Sequence, residues 1–216
     1  MTQNILFDLD GTLTDSGGGI IHSVQYALKK YGISIQDQEK LRAFIGPPLY
    51  QSFEMYCGFS PEKATEAVSF YREYYREKGM YENVPYEGII EMLKSLKKAG
   101  RRLFVATSKP EVFARDILQH LEMSEYFDYI AGSNMDGTGS EKCEVIQYAM
   151  KAGGVEEPSR TIMVGDRRHD IIGAKQAGVA ALGVLYGYGD REELVEAGAS
   201  LLAENVTEAK EILLLQ

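Results

Sequence analysis

The chain has 216 residues, of which 44% are hydrophobic, so it is long enough for one domain or for a domain that carries a smaller insertion. Its formal net charge of −9 argues against nucleic acids and anionic membranes as partners. If such an acidic protein handles anionic substrates, it needs a local positive charge, and a divalent cation supplies that charge compactly.

No segment of the sequence resembles a membrane span, and no basic stretch with a cleavage site begins it, so we expect a cytoplasmic protein without a signal peptide. The two cysteines, Cys57 and Cys143, are isolated and lack metal-ligand spacing. This pattern favours free thiols over a disulfide or a catalytic thiol. The composition leaves open whether the protein is a monomer or a homodimer.

In chain order, the first predicted element is a buried strand over residues 4–7, which runs into a turn. Similar apolar runs predict strands over 102–106, 129–131, 161–164 and 180–185. Between them, apolar stripes with helical spacing predict helices around 89–96, 112–121 and 145–149. Strands that alternate with helices of this length predict an α/β fold with a Rossmann-like parallel sheet and helices on both faces.

One region interrupts this alternation. Between residues 16 and 82 the patterns are helical, with turn residues around Gly46 and Pro61, and no strand is convincing. We therefore predict a catalytic core of residues 1–15 and 83–216 and an inserted all-helical cap of residues 16–82. Three glycines at 17–19 would suit either a hinge or a plain flexible turn at the entry to this cap.

Polar side chains gather where the predicted strands end. In open parallel sheets, functional groups lie at the carboxyl ends of the strands. The strand ends carry the following candidates: Asp8, Asp10, Thr107, Ser108, Asp166 and Asp170. Lys142 joins them from the start of a predicted helix, and Lys109, just after the second strand, competes with it for the same role.

These residue types suit phosphoryl transfer. A carboxylate can act as the nucleophile and form an acyl phosphate that water later cleaves, and Asp8 is the candidate. Asp10 lies two residues further along, on the same side of an extended strand. It would protonate the leaving alkoxide and then activate the water.

Several carboxylates around one site repel each other, which favours either a proton on one of them or a bound cation. Asp8 and Asp166 would hold Mg²⁺ with hard oxygen ligands. Lys142 would neutralise Asp8 and the phosphate, and Thr107 would donate a hydrogen bond to the phosphoryl group. The pattern thus indicates a magnesium-dependent enzyme that acts on a small phosphorylated metabolite.

Four segments resemble the four motifs of the haloacid dehalogenase (HAD) superfamily: Asp8-Leu-Asp10-Gly11-Thr12, Thr107, Lys142, and Gly165-Asp166 followed by Asp170. The helical insertion resembles the cap of the phosphoglycolate-phosphatase-like branch. The resemblance implies that Asp10 also gives its backbone carbonyl to Mg²⁺ and that Asp170 supports the metal indirectly. Lys142 precedes Cys143, where the family often has proline, so Lys109 remains a competitor.

Within that branch, residues 44–49, 106–110 and 165–170 are similar to the 5′-nucleotidase-like members. We expect the Gly46-Pro47-Pro48 turn to present its backbone to the leaving group. Three alternatives stay open: a phosphoglycolate phosphatase, a phosphomutase of the β-phosphoglucomutase type, and a catalytically silent binding module. The Gly11-to-Thr14 continuation resembles the phosphatase form more than the mutase form, and a silent module would lack Asp8 or Asp10.

Overall fold

The structure is a computed structural model that describes residues 2–216, with the backbone alone at positions 38 and 39. The described residues divide into two compact units, a core unit that runs to Asp15 and resumes at Pro85, and a helical unit over Ser16–Val84. The second boundary lies two residues after the position expected from the sequence.

The strands in chain order are β1 Asn4–Phe7, β2 Thr14–Asp15, β3 Val84–Pro85, β4 Arg102–Pro110, β5 Tyr129–Ser133, β6 Thr161–Gly165, β7 Ala180–Val184 and β8 Leu201–Ala203. The helices are α1 Gly17–Lys29, α2 Gln38–Arg42, α3 Leu49–Cys57, α4 Pro61–Glu77, α5 Ile89–Lys98, α6 Glu111–His120, α7 Lys142–Ala152, α8 Arg168–Ala177, α9 Arg191–Glu196 and α10 Val206–Leu215. Short 3₁₀ turns lie at Gly79–Glu82, Ser124–Tyr126 and Pro158–Arg160.

The core unit contains a six-stranded sheet in the order β5-β4-β1-β6-β7-β8, and its strands pair in parallel. This confirms the predicted α/β fold, with the five predicted strands at their expected places. The edge strand β8 and the two-residue strands β2 and β3 were not predicted, because runs of two or three residues are too short to show a period.

The middle strands are buried on both faces. Successive residues of β1 point to opposite faces, yet Ile5, Leu6 and Phe7 are each fully buried. On one face, Leu6 packs with Phe104 and with Ile146 of α7. Burial of one such side chain stabilises the fold by about 1.5–3 kcal/mol, so the strands that carry the functional residues have a rigid base.

The helical unit takes its boundaries from local chemistry. Ser60 caps α4 by accepting a hydrogen bond from the backbone N–H of Lys63, at 3.3 Å, and Pro61 occupies the first turn. The face that α4 buries carries Ala64, Ala67, Val68, Tyr71 and Tyr75. Two tyrosines of this face, Tyr71 and Tyr75, stack on each other within the packed interior of this unit.

Two further expectations concern the chain as a whole. Cys57 and Cys143 are both free, as the sequence predicts. Among the described residues, every helix is too short or too polar to cross a bilayer.

Candidate active site

Asp8 stands directly after the central strand β1. Its backbone N–H donates to the carbonyl of Val164 in β6, at 2.9 Å, so the neighbouring strand fixes its position. One carboxylate oxygen, Oδ1, accepts the N–H of Leu9 at 2.8 Å. The carboxylate therefore has a defined direction at the carboxyl edge of the sheet, where the sequence predicted the site.

Three carboxylates meet at this edge. Asp8, Asp166 and Asp170 each offer an oxygen, and these oxygens lie within 4.8 Å of one another. Asp166 follows β6 and is 0% exposed, and Asp170 in the first turn of α8 is 1% exposed. Asp170 also caps its helix, because its Oδ2 accepts the N–H of Arg167 at 3.0 Å. The local fold thus directs two buried acidic side chains towards Asp8.

Lys142, the first residue of α7, is the cation of this group. Its Nζ lies 3.0 Å from Asp8 Oδ1 and 2.8 Å from Asp170 Oδ1, and it donates to the carbonyl of Ala106 at 3.2 Å. Burial lowers the pKa of Lys142, but the carboxylates of Asp170 and Asp8 raise it by more, so the pKa lies above its usual value. The side chain therefore remains an ammonium at neutral pH.

Lys109 takes a different partner. Its Nζ lies 2.5 Å from Asp10 Oδ2, and both side chains are largely buried. The other oxygen of Asp10, Oδ1, is buried and has no hydrogen-bond partner within residues 2–216. Lys142 is thus the lysine that contacts Asp8, while Lys109 fixes Asp10 and leaves one of its oxygens able to accept a hydrogen bond.

The acidic groups carry more negative charge than Lys142 offsets. Burial raises the pKa of Asp166 to about 8, with further contributions from Asp170 and Asp8. Burial also raises the pKa of Asp8 to about 6, against the lowering effect of Lys142. Because a buried carboxylate favours either a proton or a cation, and oxygen donors suit Mg²⁺, the residues present fit a magnesium ion.

Gly11 allows the backbone after β1 to lie very close to the carboxylate of Asp166. Its φ is +82°, and a Cβ built there would overlap the carboxylate of Asp166. The next residue, Thr12, donates from Oγ1 to Asp166 Oδ1 at 3.2 Å. The glycine and the threonine of the first motif are therefore explained by their contacts with the strand-end aspartate of β6, 154 residues later in the chain.

The remaining predicted residues divide between the two units. Thr107 is buried, and its Oγ1 accepts the N–H of Lys109 at 3.3 Å, so its hydroxyl hydrogen can be donated elsewhere. Ser108 lies beside it, and its carbonyl accepts the hydroxyl of Ser133 at 2.9 Å. Gly46 belongs to the helical unit, exposed and with a φ of +104°, and its contact with a leaving group remains a prediction.

Two histidines, His22 and His169, have environments that their neighbours define. His22 pairs with Glu82 at 2.6 Å inside the helical unit. Burial, followed by the charge of Arg167, lowers the pKa of His169. Arg167 itself pairs with Glu193 at 2.9 Å, so its guanidinium is held by a carboxylate outside the acidic cluster.

Sequence reasoning missed the loop Tyr186–Gly189, which begins two residues after the end of β7. The backbone N–H of Tyr188 donates to Asp166 Oδ2 at 2.8 Å. The loop has the sequence Tyr-Gly-Tyr-Gly and lies just beyond the carboxyl end of a predicted strand. The strand-end rule that identified Asp8 and Asp166 would have identified this loop as well, had it been applied to β7.

The chain is similar to known proteins over most of its length. Residues 5–184 match the model of a family described as haloacid dehalogenase-like hydrolase. A Pseudomonas aeruginosa protein named 5′-nucleotidase is 49% identical over 88% of this chain and 86% of its own length. A Mycobacterium tuberculosis protein named tyrosine-protein kinase PtkA is 37% identical over 95% of this chain and 69% of its own length.

A solved structure agrees with the sequence matches. The crystal structure described as that of a "predicted phosphatase" from Clostridium acetobutylicum superposes with a TM-score of 0.96. The two chains are 46% identical, and the match covers 100% of each. The structural match thus covers both units, and the family model covers the helical unit and the core unit as far as residue 184.

Proposed function

The chain belongs to the haloacid dehalogenase-like hydrolase family, and we propose that it is a phosphatase that hydrolyses small phosphomonoesters. The proposed preferred substrates are nucleoside 5′-monophosphates, and the proposed intermediate is an aspartyl phosphate on Asp8. The observation that carries the proposal is the carboxylate of Asp8, fixed at the end of β1 with Lys142 3.0 Å away and two further buried carboxylates beside it. The 49% identity to a relative named 5′-nucleotidase supports the substrate class.

In the first step, a carboxylate oxygen of Asp8 attacks the phosphorus as the bond to the ester oxygen breaks. Asp10 delivers a proton to that departing oxygen, so the alcohol leaves neutral. Lys142 offsets the charge of Asp8 and of the phosphoryl oxygens, and the hydroxyl of Thr107 donates to one of them. Ser108 lies next to Thr107 and completes the proposed phosphate-binding residues.

In the second step, Asp10, now a carboxylate, accepts a proton from water while the water oxygen attacks the phosphorus. The bond between phosphorus and Asp8 breaks, inorganic phosphate leaves, and Asp8 is restored as a carboxylate. The ion pair of Asp10 with Lys109, at 2.5 Å, holds the base in place for this step, and its buried Oδ1 is the acceptor left for the proton.

We propose that Asp8, Asp166 and the backbone carbonyl of Asp10 hold Mg²⁺. Asp170 would support the ion indirectly. When bound, the ion would offset negative charge on the phosphoryl oxygens and on the carboxylates. The turn at Gly46 is the proposed contact of the helical unit with the leaving group.

A second candidate is transfer of the phosphoryl group to an acceptor other than water. The Mycobacterium tuberculosis relative named a tyrosine-protein kinase favours this possibility. A phosphomutase would also use an acid at the position of Asp10, so the presence of Asp10 is compatible with transfer. Hydrolysis remains the leading proposal because the relative with the higher identity is named a nucleotidase.

Phosphate release from a panel of substrates tests the proposal. The panel contains nucleoside 5′-monophosphates, phosphoglycolate, hexose phosphates and pyrophosphate, each assayed with Mg²⁺ and with EDTA. We expect magnesium-dependent release with the highest kcat/KM on nucleotides. A preference for phosphoglycolate would keep the mechanism and change the substrate. No release from any of them would contradict hydrolysis, and label passed from substrate to an added alcohol or tyrosine would favour transfer.

Removal of Mg²⁺ is expected to destabilise the protein more as the pH rises. The folded-state pKa of Asp166 is about 8, above the ordinary value of 3.8, so the folded state holds that proton more tightly than the unfolded state. Folding stability should therefore fall as the pH rises from about 4 to 8, by at most about 5 kcal/mol. Mg²⁺ would replace the proton and restore stability.

Thermal unfolding at pH 5.5 and pH 8.5, with Mg²⁺ and with EDTA, measures this effect. We expect the rise in Tm caused by Mg²⁺ to be larger at pH 8.5. Asp166→Asn, which removes the titrating group, should reduce the difference between the two pH values. An equal Mg²⁺ effect at both pH values in the wild-type protein would contradict the prediction.

A further inference from the structure

The loop Tyr186–Gly189, here called the clamp loop, contacts the buried aspartate at the end of β6. Tyr188 donates its backbone N–H to Asp166 Oδ2 at 2.8 Å, while Thr12 donates its hydroxyl to Oδ1 at 3.2 Å. Both oxygens of this carboxylate thus accept a hydrogen bond from a neutral donor. The orientation of the carboxylate, and of the lone pairs left for another ligand, is set by these two donors.

The clamp loop is itself anchored through its two tyrosine hydroxyls. The hydroxyl of Tyr188 donates to Asp15 Oδ1 at 2.6 Å, a short contact with a charged acceptor. The hydroxyl of Tyr186 donates to the carbonyl of Thr12 at 3.1 Å. The ring of Tyr86 packs edge-on against the ring of Tyr186, with centroids 5.1 Å apart. Thr12 therefore contacts both Asp166 and the loop that holds Asp166.

The glycines of the clamp loop allow a very close approach. A Cβ built on Gly187 would overlap the carbonyl oxygen of Gly11 and the side chain of Asp166. One built on Gly189 would overlap the carbonyl oxygen of Asp166. Any larger residue at these two positions would push the backbone N–H of Tyr188 away from the carboxylate that it contacts.

We propose that Tyr188 is a positioning residue for the cation site: its backbone N–H orients the carboxylate of Asp166, and its hydroxyl, bound to Asp15, fixes the loop that carries this N–H. The inference rests on the proposed function, since it assigns Asp166 to a cation. Hydrogen-bond partners of metal ligands orient those ligands, and their loss weakens metal binding by about 10- to 100-fold. The hydroxyl of Tyr188 does not contact Asp166 itself; it is exposed and acts only by fixing the loop. Removal of this hydroxyl should therefore weaken metal binding by less than that.

Calorimetric titration of the full chain with Mg²⁺ tests the proposal directly. We expect Tyr188→Phe, which keeps the ring and removes the hydroxyl, to raise the Kd for Mg²⁺ by about 3- to 10-fold. The matched control is Tyr148→Phe, which removes a hydroxyl that lies 2.7 Å from that of Tyr129. The control should leave the Kd within twofold of wild type.

Two more readouts separate positioning from general destabilisation. In assays of phosphate release, Tyr188→Phe should raise the Mg²⁺ concentration needed for half-maximal activity and lower kcat at saturating Mg²⁺ by less than about threefold. Asp15→Asn should weaken Mg²⁺ binding to a similar degree, and the double variant should be no weaker than the single ones, because both changes break the same hydrogen bond.

Gly187→Ala tests the close approach, with a larger expected effect of at least about 10-fold on the Kd. Its control is Gly18→Ala, where the nearest atom to an added Cβ is a carboxylate oxygen at an ordinary 3.7 Å. Circular dichroism of each variant confirms that it is folded before the titration. If Gly187→Ala does not fold, Tyr188→Phe and Asp15→Asn still decide the proposal.

The outcomes distinguish the inference from the function beneath it. Wild-type affinity in both Tyr188→Phe and Asp15→Asn would overturn the positioning role and leave the phosphatase proposal intact. The positioning role would also be overturned if Tyr148→Phe loses as much affinity for Mg²⁺ as Tyr188→Phe. A wild-type protein that binds no Mg²⁺ and releases no phosphate would overturn both.

Discussion

Asp8→Asn is expected to lower kcat for every phosphomonoester by about 10⁴-fold or more, the scale seen when a covalent nucleophile is removed. The amide keeps the size of the side chain but cannot form an acyl phosphate. Lys142, 3.0 Å from Asp8 Oδ1, would keep its contact with Asp170 at 2.8 Å, so the fold should survive. Steady-state phosphate release and thermal unfolding of the same preparation measure the two quantities.

The matched control is Asp116→Asn, the same chemical change at an exposed position of α6 in the core unit. It should have the activity of the wild-type protein. A second measurement identifies the intermediate: acid quenching with labelled substrate should trap a phosphorylated wild-type chain, and Asp8→Asn should carry no label. Wild-type turnover in Asp8→Asn, or label that persists on it, would rule out Asp8 as the nucleophile.

The sequence was sufficient for the architecture and for most of the candidate site, because both depend on short-range patterns. Runs of buried residues predicted the five longer strands, and the rule that functional groups follow the carboxyl ends of strands identified Asp8 and Asp166. The structure brings these two together with Asp170. The edge strand β8 was missed because three residues, two partly buried and one fully buried, are too few to show an alternation.

The choice between the two lysines depended on three-dimensional contacts. Lys109 follows a strand end, and Lys142 begins a helix, so both were reasonable partners for Asp8 on sequence grounds. The structure assigns them to different carboxylates, Lys142 to Asp8 and Lys109 to Asp10. Spacing along the chain could not reveal this, because long lysine side chains can reach several strand ends and their partners are distant in sequence.

The clamp loop shows a different limit. Its residues lie at a strand end and were open to the same reasoning, but Tyr188 contacts Asp166 through the backbone N–H, which every residue except proline has. A side-chain pattern therefore cannot reveal such a contact. The closely spaced glycines at 187 and 189 were the available signal, since a close approach of backbone to another group often requires glycine.

Asp10→Asn is expected to lower kcat on nucleotides by about 10²- to 10⁴-fold, the range that general acid–base catalysis contributes.

The two proposed roles of Asp10, as acid in the first step and as base in the second, predict different responses to a change of leaving group. A nucleoside 5′-alkoxide needs a proton to depart, whereas 4-nitrophenolate departs without one. With 4-nitrophenyl phosphate, the variant should therefore still phosphorylate Asp8 but fail to activate water. Rapid mixing should show a burst of about one equivalent of 4-nitrophenol, followed by slow turnover.

The loss of Asp10 also removes the partner of Lys109, at 2.5 Å, and this effect must be separated from acid–base catalysis. Lys109→Met keeps Asp10 and removes the ammonium that holds it. We expect this variant to lose less activity than Asp10→Asn and to show no burst, because the carboxylate of Asp10 can still activate water. If Lys109→Met reproduces both the loss and the burst, the main contribution of the pair is the placement of Asp10. If Asp10→Asn turns over nucleotides at the wild-type rate, Asp10 is not the acid and base.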